Sequence, residues 1–269
     1  GIIHAGGGIG GFLGASILPL LAGNFGWRKS LLFPALLAVL LALFVLKFYQ
    51  SKNKKEKQKK EKTNYKEYLT SFKNDLFLLI KNRYMMCVCC LGFAFGCAIG
   101  AIPAHFTLFL TRDLGIGAAW AGLGFGILQL GSIIGKPGWG WINDRFFSGN
   151  RRKGLFTIGL MIIFWCWFVG LFLFVFDFPL YIILIIALFL GATGMSWPGL
   201  HFTTIAESAS EEHTGTATGI SLTFSRLGVV CSPPVFGYIA DITGNYRYSW
   251  FLLGLILLIF ASIFYWYTG

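Results

Sequence analysis

The sequence predicts an all-α polytopic membrane protein with eight transmembrane helices, on three observations. Of its 269 residues 56% are hydrophobic and only 12% charged, where soluble domains carry roughly 25% charged residues. The apolar residues gather into eight long runs. The basic residues crowd into alternate gaps between those runs.

A hydrocarbon core of about 30 Å takes roughly 20 helical residues to cross. Runs of that order lie at 2–22, 31–48, 84–110, 118–142, 155–176, 180–204, 216–240 and 249–267. Each is expected to be helical, because lipid offers backbone N–H and C=O groups no partner. The period-two alternation of a barrel strand is absent.

The first run contains HAGGGIGGFLG. Gly6, Gly10 and Gly14 recur every four residues and form one small face, which lets another helix approach closely in lipid. Gly6, Gly8 and Gly11 also have dinucleotide-fingerprint spacing, but that fingerprint needs a preceding strand and an acidic residue about 20 positions on. Neither is present, so no cofactor is expected. The chain opens on Gly1 inside this run, with no initiator Met, charged leader or small-residue cleavage site. The expectation is a fragment whose N-terminal portion has been lost.

After the second run comes a tether, 52–66, which starts and ends on Lys52 and Lys66 and holds eight Lys and two Glu. Tyr65, Tyr68, Leu69, Phe72, Leu76, Leu79 and Ile80 then recur at three- and four-residue steps. They predict an amphipathic helix lying on an anionic inner leaflet. The six cysteines, Cys87, Cys89, Cys90, Cys97, Cys166 and Cys231, all fall inside apolar runs. There they read as small apolar residues; no disulfide framework and no metal site is expected.

A net charge of +11 would suit nucleic acid until the charges are placed. Twelve of the 22 Lys and Arg lie between Lys47 and Arg83, and Arg145, Arg151, Arg152 and Lys153 sit in one further gap. Only Arg28, Lys29, Arg112 and Arg247 fall in the opposite gaps. Sixteen against four puts the Lys-rich loop, the Asp144 loop and the 207–214 loop in the cytoplasm under the positive-inside rule. The charge is topological, and no nucleic acid partner is expected.

Two of the cations lie within runs. Arg226 stands eleven positions after Gly215, roughly 16 Å into the seventh run and near the bilayer centre. A charge held there costs from about 3 kcal/mol upward and marks a polar cavity or a substrate path. All eleven acids lie in loops or at the ends of runs, so within the spans no carboxylate stands ready to pair with it. Lys136 sits six residues, about 9 Å, from the end of the fourth run. Its stem could snorkel to the interface or reach a central cavity. Gln129 and Ser132 precede it by seven and four residues on the same face. His105, after Pro103, is either a packing histidine or a proton-coupling group. Trp197 and Pro198 break the sixth run ahead of His201, and Trp197 is a candidate wall residue.

GKPGWGWINDRFFSGNRRK, at 135–153, closes the fourth run with a tight basic loop. It resembles the signature loop of the major facilitator superfamily of transporters. Gly140, Asp144 and Arg145 match the first part of the family pattern, and Gly149, Arg151 and Arg152 match the rest after a two-residue insertion at Phe147 and Ser148. A weaker internal echo joins LPLLAGNFGWRKSLLF to PPVFGYIADITGNYRYSWFL, as repeats in this superfamily would. The resemblance implies that 1–48 are the last two helices of an N-terminal bundle, that 49–83 are a cytoplasmic basic linker, and that 84–269 are a six-helix C-terminal bundle. About four helices of the same protein would be missing. With Pro19, the first run looks like the family's fifth helix, which packs against a helix of the opposite half. Lys136 followed by Pro137 looks like the eighth helix of carboxylate and nitrate carriers, where the basic residue binds the anion. ESASEEHTG, beginning at Glu207, is similar to the acidic segment that faces the Asp-Arg loop, and Arg145 with Glu207 would latch the inner gate.

The function expected is secondary active transport of a small organic anion such as a carboxylate, by alternating access, in the plasma membrane. Arg226, Lys136, Gln129, Trp197 and His105 are the candidate solute-binding residues. A carrier of drugs or sugars is the alternative within transport. A membrane-embedded receptor or enzyme is the alternative outside it, but the chain shows no paired carboxylates, metal spacing or Ser-His-Asp set.

Overall fold

The fold follows from where a low-dielectric surrounding lets backbone and polar side chains find partners. In a computed structural model of the protein, residues 2–48, 77, 79–172, 175–176, 178–210 and 213–268 are described. Among them every regular element is a helix: α1 (Ile2–Phe25), α2 (Trp27–Ser30), α3 (Leu32–Phe48), α4 (Arg83–Arg112), α5 (Ala118–Phe146), α6 (Arg151–Phe172), α7 (Leu180–Gly194), α8 (Pro198–Ser208), α9 (Thr214–Thr243) and α10 (Arg247–Tyr267). The basic tether and nearly all of the expected amphipathic helix at 65–80 lie outside the described residues.

Six helical segments among the described residues are long and apolar enough to cross a membrane. Two of them are composite, Trp27–Phe48 joining α2 to α3 and Leu180–Ser208 joining α7 to α8. The expected total of eight counts α1 and α9 as well. At 24 and 30 residues they are about 36 and 45 Å long, enough to cross a hydrocarbon core of about 30 Å.

The packed body is built on α4, where Val88, Leu91, Phe95, Ile102, Phe106 and Phe109 are all buried. It lies against α9 on one side and α10 on another. In α10, Trp250, Leu253, Leu257, Ala261 and Phe264 recur at helical spacing and are buried. In α6, Leu155, Ile158, Ile162, Cys166 and Val169 do the same. Further pairings include α6 with α10, α5 with α7 and α1 with α5. By contrast α3 buries no residue.

Between apolar helices in lipid, close approach and hydrogen bonds replace the hydrophobic effect as the cohesive terms. Glycines set the distances. A Cβ at Gly191 of α7 would collide with the Leu128 carbonyl of α5, and one at Gly131 would collide with the Leu188 carbonyl in return. Gly96 of α4 faces the Ser225 carbonyl in the same way, and Gly228 of α9 faces that of Phe93. Side-chain donors then tie the helices: Trp139 Nε1 donates to the Ala192 carbonyl at 2.8 Å, and Ser232 Oγ to that of Cys97 at 2.9 Å.

The packing glycine of α1 is not the one expected. Among the described residues nothing stands within 4 Å of a Cβ at Gly10, and only Leu18, one turn along, comes near Gly14. Gly11, one position round the helix, receives the side chain of Gln129 from α5. The four-residue spacing is present on both faces of this glycine-rich helix, so spacing alone did not choose between them. The surroundings of Gly6 and Pro19 lie outside the described residues.

The two inserted residues do not open the loop between α5 and α6. Only Phe147 to Asn150 separate the helices, with Ser148 and Gly149 both left-handed at φ 51° and 76°. The Phe147 and Gly149 N–H groups both donate to the Asn143 carbonyl at 3.1 Å. Asn150 Oδ1 then accepts from the Lys153 N–H at 3.2 Å and caps α6.

Gly191→Val should cost ~2 kcal/mol or more, since a side chain there meets backbone that cannot yield. Gly138→Ala, where nothing stands within 4 Å, should be neutral to within about 0.5 kcal/mol. Thermal unfolding of the two detergent-solubilised variants checks this, and equal melting temperatures would refute glycine-set spacing.

Candidate functional site

The break between α7 and α8 creates the site. Pro198 has no N–H to continue the helix, and the chain turns at Met195, Ser196 and Trp197 before α8 begins. Several carbonyls at the break are taken up within the protein. Gly191 O accepts from Ser196 Oγ at 3.2 Å, Ala192 O accepts from Trp139, and Met195 O lies 3.5 Å from Ser132 Oγ.

Beside this break is a cavity of about 300 Å³. Lys136 from α5 and Arg226 from α9 line it, with Trp197 and Pro198 at the break and Phe202 one turn into α8. Leu222, Arg226 and Val229 lie on one face of α9, at i, i+4 and i+7, and all three border the cavity. No carboxylate is among the lining residues, and among the described residues Arg226 forms no ion pair. The cavity wall is therefore apolar with two cations set into it.

Trp197 is 2% exposed, stacks on Phe95 with ring centroids 5.2 Å apart, and keeps an indole N–H without a partner. His201, fully buried in the next turn, joins Ser221 Oγ of α9 at 2.7 Å through Nε2. A Cβ at Gly92 would touch its ring, so α4, α8 and α9 meet at this histidine.

Two other expected residues lie elsewhere. Gln129 is 7% exposed, about 10 Å along α5 from Lys136, and is covered by Gly11 of α1; it does not line the cavity. His105 sits toward the opposite end, with Nε2 2.9 Å from the Pro233 carbonyl and Nδ1 3.2 Å from the Tyr246 hydroxyl. A carbonyl only accepts, so the Nε2–H tautomer donates to Pro233 and Nδ1 accepts from Tyr246. At that same end the Tyr246 N–H donates to Asp113 Oδ2 at 2.6 Å. Burial pushes the Asp113 carboxyl above its usual range, against the pull of this N–H and of Arg112.

The basic end carries an ion cluster whose centre is Arg151. It donates from Nε and Nη2 to both carboxylate oxygens of Glu207, at 3.2 and 3.3 Å, and from Nη1 to Asp144 at 3.0 Å. Asn143, fully buried, accepts from Arg151 Nη1 at 3.0 Å and donates to the Asn150 carbonyl at 3.0 Å. The expected partnership of Glu207 with Arg145 is corrected: Arg145 is exposed and forms no ion pair among the described residues. The tight turn aims Arg151, the first residue of α6, back across the ends of α5 and α8, while Arg145 projects outward. Hydrogen bonding to Glu207 is the largest of the causes that raise the Arg151 guanidinium above its usual range, partial burial opposing it. Arg152 donates to the Tyr265 carbonyl at 2.7 Å and lies over the Tyr265 ring, a cation on the last turn of α10. Gly140, with nothing within 4 Å of a Cβ, makes no close contact.

Residue-type reasoning missed Phe202, Met195 and Leu222. The signal was available in part, since Phe202 follows Pro198 by four residues and Leu222 precedes Arg226 by four.

Comparison with known proteins places the architecture. The Major Facilitator Superfamily model matches residues 1–164 and 84–269, so the two matches overlap. Monocarboxylate transporter 12 of Xenopus laevis is 26% identical over 289 residues, covering 98% of this chain; the chain spans 59% of that relative's length. The crystal structure of the E. coli fucose:proton symporter FucP superposes with a TM-score of 0.61 at 18% identity, over 74% of this chain and 46% of that one. FucP in the outward conformation gives 0.62 at 17%, over 75% and 46%. The chain thus belongs to the major facilitator superfamily, as a multi-pass integral membrane protein of a family of transporters, not enzymes.

Proposed function

We propose that the protein is a secondary active transporter of a small organic anion, such as a carboxylate, working by alternating access. In this reading residues 1–48 belong to one bundle and 84–269 form the other, and the solute crosses between them at the bilayer midplane. The observation that carries it is the meeting of Lys136 and Arg226 on one cavity whose wall holds no carboxylate. Two cations on a low-dielectric wall without a lining carboxylate attract a negative solute and repel a positive one. A relative named Monocarboxylate transporter 12 supports the same charge.

Arg151 with Asp144 and Glu207 acts as the latch at the cytoplasmic end. The pair is partly solvated, with Glu207 51% exposed, so it stabilises one state by about 1 kcal/mol or less. A latch of that strength can be released on each cycle. The anionic inner leaflet is the partner of the basic stretch 52–66.

Arg226→Gln in the full-length protein should reduce anion uptake about tenfold or more, the loss of one charge-assisted contact. Initial uptake rates in expressing cells measure this, and wild-type rates would remove the anion reading. Glu207→Gln should shift the inward-to-outward balance about two- to fivefold, in keeping with an exposed pair. The labelling rate of a reporter thiol in the cavity follows that balance; unchanged labelling together with unchanged transport kinetics would count against the latch.

A further inference from the structure

The wall of the cavity has more to say about the solute than its charge. Apart from Lys136 and Arg226, the one hydroxyl-bearing side chain that lines it is Ser225, already donating to the Leu222 carbonyl at 3.1 Å, and the Trp197 indole N–H is buried within the wall. The rest of the lining is aliphatic, aromatic or sulfur-containing, with Met195, Trp197, Phe202 and Leu222 nearest the break. Several carbonyls at the broken helix are already occupied. Ala192 O, Thr193 O and Met195 O each face a donor of this protein. Two N–H groups at the break are used as well, Met195 toward Gly191 and Ser196 toward Thr193. A hydroxyl laid on the apolar part of this wall, against Met195, Phe202 and Leu222, would be stripped of water with no side-chain partner to replace it, which sites specific for hydroxylated solutes avoid by providing partners.

We propose that the anion recognised here has an apolar body: a carboxylate head held by Lys136 and Arg226, and an aliphatic or aromatic ring or chain laid against Trp197, Phe202 and Met195. Polyhydroxylated acids and sugars are disfavoured on this wall. The inference rests on the anion reading and narrows it from a charge to a class of solute. Phe202 is the residue that sets the preference. It is half-buried, next to His201 and Trp197, and bounds the cavity from the first turn of α8.

Three six-membered-ring probes separate the two ideas. Cyclohexanecarboxylate has the charge and the apolar ring, glucuronate has the charge and a hydroxylated ring, and cyclohexanecarboxamide has the apolar ring without the charge. Titration calorimetry on the full-length protein in lipid nanodiscs should give cyclohexanecarboxylate an affinity at least about tenfold above glucuronate, the scale of one unpaired polar group. The carboxamide should bind at least about tenfold more weakly than the carboxylate. Phe202→Ser should bring the carboxylate-to-glucuronate ratio down to within about threefold, with the discrimination against the carboxamide retained. Glucuronate binding as tightly as cyclohexanecarboxylate in the unaltered protein would overturn the apolar-body inference and leave the anion reading standing. Carboxamide binding as tightly as the carboxylate, or no binding of either anion, would overturn the anion reading itself. An unaltered ratio in the folded Phe202→Ser protein would take the preference away from this wall.

Discussion

Lipid supplies neither hydrogen-bond partners nor counter-charges, and most features of this chain are answers to that one constraint. Where α7 stops at Gly194, carbonyls at the break, those of Gly191, Ala192 and Met195, are claimed by Ser196, Trp139 and Ser132. Where helices must cohere without water to drive them together, glycine lets backbone meet backbone at Gly131 and Gly191, and again at Gly96 and Gly228. These contacts fix how far apart the helices stand. They thereby fix the width of the cavity that α5, α8 and α9 border.

Against this background the cations separate into two kinds. Arg151 and Arg152 lie at helix ends where carboxylates, a carbonyl and an aromatic ring surround them. Their contribution is modest, since exposed pairs are worth about 0–1 kcal/mol. Arg226 lies mid-helix, and among the described residues it has no acid to neutralise it. A charge in that position costs from about 3 kcal/mol upward, several times what the surface pairs return. Such residues face a polar cavity or a partner within the bundle, and Arg226 borders the cavity beside the break.

The parts of this arrangement that depend on composition and period were legible in the sequence. The helical character of the chain, the break at Pro198 and the mid-helix Arg226 each follow from a local pattern. What was not legible depends on how helices turn against one another. Both faces of the glycine-rich α1 carry small residues, and only the position of Gln129 on α5 decides that Gly11 is the contact. Gln129 and Lys136 share a nominal face seven residues apart, yet α1 covers one and the cavity opens on the other. Arg145 is adjacent in sequence to Asp144 and was the natural partner for Glu207. The backbone reversal at Ser148 and Gly149 presents Arg151 there in its place.

One element joins the two sites. Eleven-residue α8 is about 16 Å long, with Pro198 and Phe202 on the cavity and Glu207 near its other end on Arg151. Between them His201 is pinned to Ser221 of α9, and Thr204 Oγ1 folds back onto the Leu200 carbonyl at 2.8 Å. A short, internally bonded helix moves as a unit, whereas the turn at Met195 to Trp197 has already given up its helical ladder and can bend at lower cost. The cavity wall and the ion pair are thus carried on one short helix, with Phe202 facing the first and Glu207 making the second.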